Sequence, residues 1–205
     1  MTNFDERAKE WDSDPKKVER ARVVADAIRK AIPLSKEMRS LEYGCGTGLL
    51  SFFLQPDLGE ITLADTSQGM LDVLAEKISD AGVENMHPLR LDLISDPLPA
   101  GRYDLTYSLM TLHHIHDVKK ILSKFHDLLV PHGTLLVADL DQEDGSFHTD
   151  GTTDVHKGFS RGELQRMVEE AGFDYITFIT AYEIKKNIGN EEKTYPVFLM
   201  AARKI

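Results

Sequence analysis

The sequence predicts an α/β fold: a doubly wound, mostly parallel seven-stranded sheet with helices on both faces and an antiparallel C-terminal hairpin. Three observations predict it. Short apolar runs alternate with segments whose apolar residues recur at helical spacing, the pattern of consecutive βαβ units. Glycine and proline punctuate the boundaries. The last two strand-like runs are joined by Asn187-Ile188-Gly189-Asn190, a hairpin signal that adds an antiparallel edge.

Taken in order, Asp14-Pro15 reads as an N-cap followed by proline at the first helical position. Val18, Ala21, Ala25, Ile28 and Ile32 then recur every three or four residues, which makes an amphipathic helix ending near Pro33. Residues 1–33 are thus an N-terminal helical cap. Ser40 to Tyr43 is the first strand, followed by a glycine turn and a short helix from Thr47 to Gln55. Ile61 to Ala64 is the second strand. Ser67 caps a helix that carries Leu71, Leu74 and Ile78 on one face and stops at Gly82. His87 to Leu91 is a third strand, weakened by Pro88, and Tyr103 to Leu109 a fourth. Val118, Ile121, Leu122, Phe125 and Leu129 mark a helix stopped by Pro131-His132-Gly133. A fifth strand, Thr134 to Asp139, leads into a polar loop, residues 140–159. Ser160-Arg161-Gly162-Glu163 is a capping-box pattern opening a helix with Leu164, Met167, Val168 and Ala171. The strands of the terminal hairpin run from about Tyr175 to Lys185 and Thr194 to Arg203.

Composition narrows the function classes. At 205 residues with 41% apolar content, the chain is one ordinary domain, 1–205. A single Cys forms no disulfide within it. No apolar run approaches the ~20 residues of a membrane span. The opening MTNFDERAKEWDSD is charged and has no signal-peptide core, so a cytoplasmic location is expected. A net charge of −10 makes nucleic acid an unlikely partner. The basic pairs Lys16-Lys17, Lys119-Lys120 and Lys185-Lys186 read as solvated faces.

In a doubly wound sheet, ligands bind beyond the carboxyl ends of the strands at the switch point. The turn after the first strand, Glu42-Tyr43-Gly44-Cys45-Gly46-Thr47-Gly48, suits that role. Gly44 and Gly46 permit a tight turn and a close backbone approach, and Gly48 lets the next helix pack on its strand. Asp65 stands 21 residues after Gly44, at the end of the second strand, where a carboxylate can accept both hydroxyls of a ribose. The nicotinamide fingerprint G-x-G-x-x-G would need its third glycine at Leu49, so an oxidoreductase fits the register less well.

With these residues the chain resembles the class I S-adenosylmethionine-dependent methyltransferases of small-molecule type, over nearly its whole length. The glycine turn is similar to their first motif. Asp65-Thr66-Ser67-Gln68-Gly69-Met70-Leu71 is similar to their D-x-S-x-x-M-L segment. Arg90-Leu91-Asp92-Leu93 resembles the segment after the third strand, and Tyr103 to Ser108 with Leu112-His113-His114-Ile115 the fourth-strand motif. The resemblance implies a Rossmann-like sheet, S-adenosyl-L-methionine as cofactor and S-adenosyl-L-homocysteine as product. It implies that Gly44, Gly46 and Gly48 line the methionine part, that Glu42 orients its amino group, and that Asp65, with Thr66 and Met70, holds the ribose side. Asp92 and Leu93 would meet the adenine, and Ser108 and His113 the edge near the sulfonium.

The fourth-strand segment Ser108-Leu109-Met110-Thr111 lacks the N/D-P-P-F/Y pattern of nucleic-acid amino methyltransferases, so a small-molecule methyl acceptor is expected. A cofactor-binding partner protein without catalysis is the alternative from another class. Cys45, inside the glycine turn, reads as packing and not as a nucleophile. His113, His114 and His116 invite a metal reading, but adjacent residues point to different sides and no further set completes a site, so no metal is expected. Asp139 with Asp141 does not define one either. The 140–159 loop contains Glu143, Asp144, Phe147, His148, Asp150, Asp154, His156 and Phe159, a mixture suited to a substrate-side lid. If the nucleophile must lose a proton, His148 or His156 is the candidate base.

Overall fold

The computed structural model describes residues 3–148 and 154–205. Seven strands form one sheet: β1 (Ser40–Tyr43), β2 (Ile61–Asp65), β3 (Met86–Arg90), β4 (Tyr103–Leu109), β5 (Leu129–Leu140), β6 (Phe173–Ile188) and β7 (Glu191–Lys204). Their order is β3-β2-β1-β4-β5-β7-β6, with β7 antiparallel to both neighbours and the other pairings parallel. The chain winds outward from β1 in both directions. The crevice between β1 and β4 is therefore the switch point.

Among the described residues, six α-helices accompany the sheet: α1 (Asn3–Arg7), α2 (Pro15–Ala31), α3 (Leu49–Leu54), α4 (Gln68–Ala81), α5 (Val118–Leu128) and α6 (Arg161–Glu170). Successive side chains along each strand point to opposite faces, and the central strands are buried on both, so the sheet feeds two cores. Leu63, Leu105, Leu136 and Leu199 pack with Ala21, Ile28, Leu54 and Leu74 of α2, α3 and α4 on one face. Leu41, Val137, Phe198 and Met200 pack with Ile121, Phe125, Leu164 and Val168 of α5 and α6 on the other. Each of the larger side chains among them, Val, Leu, Ile, Phe or Met, contributes about 1.5–3 kcal/mol of transfer free energy.

Several boundaries differ from the sequence reading for identifiable reasons. β3 forms despite Pro88, which pairs with Leu63, because an edge strand leaves one side of its ladder unpaired. β5 starts at Leu129 and runs through Pro131-His132-Gly133, where the sequence predicts only the end of a helix. His132 adopts a φ of 67°, and a register shift between Tyr103 and Leu105 absorbs the irregularity. Ser160 starts α6, yet its hydroxyl makes no cap; Arg161 instead anchors the helix through a two-pronged pair with Asp141, at 2.7 and 2.6 Å. The hairpin is longer than expected because the pairing continues to Ile188 opposite Glu191.

Candidate active site

The glycine turn leaves the carboxyl end of β1 and enters α3. At Gly44, φ is +69°, and a Cβ would lie 2.2 Å from Thr111 Cγ2. Thr111 Oγ1 also donates to the Gly44 carbonyl at 3.2 Å, which ties the turn to the segment after β4. At Gly48, φ is +77° and a Cβ would meet Leu74 Cδ1 at 2.6 Å, so α4 packs directly on the turn. Both positions require glycine for conformation and for space.

Asp65 ends β2 with its carboxylate between two main-chain donors: Gly46 N–H at 2.7 Å and Ser67 N–H at 2.8 Å. Burial pushes its carboxyl up, and those N–H groups oppose the shift. Thr66 beside it is exposed, and Met70 is buried beneath Gly46. Glu42, on β1 just before the turn, is also buried. Its carboxylate accepts from Ser51 Oγ, which lies 2.6 Å from Tyr107 OH. Burial pushes Glu42 up to about 8. The Cys45 thiol is also raised well above its ordinary range, by burial and then by Glu42 and Asp65. It is therefore a protonated packing group.

After β3, Asp92 caps its own turn by accepting from Ile94 N–H and Ser95 Oγ, each at 2.9 Å. Leu93 N–H donates to Tyr43 OH at 3.2 Å, which joins this turn to β1. Ser108 is buried near the end of β4, and its hydroxyl meets no hydrogen-bond partner among the described residues. An orphaned buried hydroxyl beside a glycine turn and two acids, all at the switch point, fits a polar cationic cofactor.

The N-terminal segment closes over this region through anchors that carry no motif in the sequence. Asp5 accepts from Ser67 Oγ at 2.6 Å and Gly69 N–H at 3.0 Å, at the start of α4. Asp12 binds Thr47 Oγ1 and Lys77 Nζ. Trp11 stands over Gly46, with Lys17 Nζ 3.6 Å above its ring, and Phe4 packs edge-on against both Trp11 and His114. Arg20 of α2 also faces this region, with no sequence signal to mark it. Its Nε is buried with no hydrogen-bond partner among the described residues, and it couples electrostatically to Tyr182, Asp14 and Asp139.

The histidines group differently from the sequence reading. His113 and His114 are adjacent, yet their ring centroids lie 4.1 Å apart, because the one-turn 3-10 segment Leu112–His114 does not throw them to opposite sides. His148, not His116, is the third member, with its ring 5.3 Å from His113 and 5.6 Å from His114. His113 is buried, and Asp139 takes its Nδ1 at 2.6 Å. His116 is exposed beside Asp154 at 3.1 Å. His156 stands apart from the group: its Nε2 meets the Ile115 carbonyl at 3.0 Å, and its ring packs on Phe159. It lines a cavity of about 290 Å³ with His116, Gln142 and Glu163.

Of the 140–159 loop, residues 149–153, Asp150 included, lie outside the described residues. Its first half is fastened to the terminal hairpin. Asp144 pairs with Lys193 at 2.7 Å, Ser146 Oγ lies 2.6 Å from Tyr195 OH, and Lys186 Nζ lies 3.7 Å from the Phe147 ring centre.

Comparison with known proteins accords with this geometry. A family model described as a methyltransferase domain matches residues 17–177, from α2 into β6. The chain belongs to the class I methyltransferase family. An uncharacterized methyltransferase of Schizosaccharomyces pombe is 34% identical over 173 residues, covering 77% of this chain and 60% of that protein. One from Mycobacterium tuberculosis is 31% identical over 118 residues, covering 57% and 58%. The methyltransferase chain thus spans about 60% of the length of these curated relatives. Among solved structures, a Haloferax volcanii complex of the Trm112 methyltransferase activator and a putative methyltransferase matches with a TM-score of 0.79 at 15% identity, covering 99% of this chain and 98% of that one. A Haemonchus contortus phosphoethanolamine N-methyltransferase in complex with S-adenosylhomocysteine matches with a TM-score of 0.72 at 16% identity, covering 88% and 52%. At these identities the solved structures support the methyltransferase fold. No helix among the described residues is long and apolar enough to cross a membrane.

Proposed function

We propose that this domain transfers a methyl group from S-adenosyl-L-methionine to an oxygen or nitrogen of a small cytoplasmic molecule. The observation that carries the reading is the convergence of Glu42, the glycine turn, Asp65 and the orphaned Ser108 hydroxyl at the β1/β4 switch point. Bound there, the cofactor would supply an electrophilic methyl carbon on a sulfonium for the acceptor's lone pair.

In this reading Asp65 holds the ribose hydroxyls, with Thr66 and Met70 beside it. Asp92 and Leu93 meet the adenine, and the glycine turn with Ser108 meets the methionine end. Glu42 is neutral when alone in its buried site. A cationic amino group nearby favours its ionised form, so binding releases a proton. Arg20 supplies the complementary charge for a carboxylate of the cofactor or the acceptor.

The protein's main task is to align the acceptor with the methyl group and to keep water out, which supplies roughly 7–11 kcal/mol in well-oriented reactions. Trp11 and Phe4 cover the glycine turn. Removal of the acceptor's proton falls to the imidazole group of His113, His114 and His148; His156, committed to the Ile115 carbonyl, lies outside it. The relatives include Listeria demethylmenaquinone methyltransferases, 24% identical over 182 residues, which favours a small acceptor over a macromolecule.

The test is incubation of the purified protein with a metabolite extract and isotope-labelled methyl donor. Label transferred to a low-molecular-weight product, and lost in Asp65→Ala, is the expected result. S-adenosylhomocysteine binding without any labelled product would favour the non-catalytic alternative.

A further inference from the structure

We propose that His113, His114 and His148 form a binding site for a late first-row divalent cation, Zn²⁺ foremost, with one coordination position open to the methyl acceptor. One ring nitrogen from each of the three histidines lies within 4.8 Å of those of the other two. A tetrahedral ion with Zn–N bonds of about 2.0–2.1 Å needs nitrogens roughly 3.4 Å apart. Closing the remaining gap, at most about 1.4 Å on that geometry, is within the reach of side-chain rotation.

A second observation is independent of that spacing. A metal-bound histidine commonly gives its other ring nitrogen to a carboxylate, which fixes the tautomer and the ring plane. Asp139 does this for His113. It is buried, pinned by the N–H groups of Leu140 at 2.7 Å and His113 at 3.2 Å, and takes Nδ1 at 2.6 Å. The lone pair of His113 is thereby directed to Nε2. Aromatic edges hold the other two rings: Phe4 against His114 at 5.4 Å and Phe147 against His148 at 5.0 Å.

The donor set selects the ion. Neutral imidazoles suit Zn²⁺, Cu²⁺, Ni²⁺ and Co²⁺, whereas Mg²⁺ and Ca²⁺ demand oxygen ligands. Three ligands leave a tetrahedral ion one open position, as in catalytic and unlike closed structural sites. The site also borders the glycine turn, because Thr111, two residues before His113, bonds Gly44, and Phe4 links Trp11 to His114. With the metal bound, the three imidazoles act as its ligands and no longer as the base: coordination of an acceptor hydroxyl there would lower its pKa, release its proton to solvent and leave an oxygen lone pair to attack the methyl carbon. That last role rests on the methyl-transfer reading; metal binding does not.

The test is titration of the full-length, chelator-treated protein with Zn²⁺ against a chromophoric chelator. The expected result is one ion per chain, with affinity reduced at least tenfold in His148→Ala and in His114→Ala. Asp139→Asn should weaken binding about 10–100-fold. His113→Ala empties a buried position and can fail to fold, so the two less buried histidines carry the test. His87→Ala, exposed beside Glu60, should bind Zn²⁺ like the wild type. Absence of stoichiometric binding, or equal affinity in His148→Ala and the wild type, overturns the proposal. S-adenosylhomocysteine binding in the same preparation is scored separately: its loss counts against the methyltransferase reading, and its retention without Zn²⁺ binding counts against the metal site alone.

Discussion

Glu42 shows how far a single residue can set the behaviour of the ligand-free protein. Burial raises its pKa from 4.5 to about 8, so between those values the folded chain keeps a proton that the unfolded chain has lost. The contribution of Glu42 to stability is fully present below about pH 4.5 and is lost as pH rises through about 8. Glu42→Gln keeps the shape and removes the titration. Its melting temperature should fall less than the wild type's between pH 5 and 8, and at pH 8 it should melt higher by at least ~2–4 °C, the equivalent of about 1 kcal/mol at this size. Thermal melts across that range check this, and parallel pH profiles would refute it.

Residue identity carried most of what the sequence revealed about the site. The glycines and Asp65 were legible because their spacing follows from the strand–turn–helix geometry that displays them, whereas Glu42 and Asp92 stood out only through the family resemblance. The histidine group was not. Its members come from two loops, and only the packing of a one-turn helix brings neighbouring rings together. Arg20 was hidden in an otherwise ordinary amphipathic helix, where sequence spacing cannot distinguish a solvated arginine from a buried one.

At the scale of elements, the N-terminal segment is the part most closely associated with the glycine turn without belonging to the sheet. In the sequence, an aromatic pair such as Phe4 and Trp11 fits simple packing on the sheet and a cover over the cofactor equally well. Their partners now include Gly46 and His114, while Asp5 and Asp12 fasten the segment to α4 and to Thr47. Trp11→Ala should therefore raise the dissociation constant of S-adenosylhomocysteine about tenfold, some 1.4 kcal/mol. Calorimetric titration measures it, and an unchanged constant would make the segment mere packing. The existence of the strands, their mostly parallel winding and the antiparallel hairpin were legible from alternation and turn signals. The β5 start and the α6 cap were not, because tertiary pairing, β4 with β5 and Arg161 with Asp141, overrode local signals.

For the whole molecule, the sheet order, the two cores and the family all point to the crevice between β1 and β4. A cavity of about 420 Å³ lined by Lys36, Gln55, Gly59 and Asn85 opens instead at the amino ends of β2 and β3, the wrong end of a doubly wound sheet for its ligand. The central claim is that the crevice binds the methyltransferase cofactor through Asp65, and thermal denaturation with S-adenosylhomocysteine tests it most directly. At a hundred times its dissociation constant the ligand adds about 2.7 kcal/mol to the folded state. That should raise the melting temperature by roughly 5–10 °C. Asp65→Ala and Asp65→Asn, each compared with its own ligand-free baseline, should lose most of that shift. A full shift in both variants, or a shift with NADH and none with S-adenosylhomocysteine, would contradict the account.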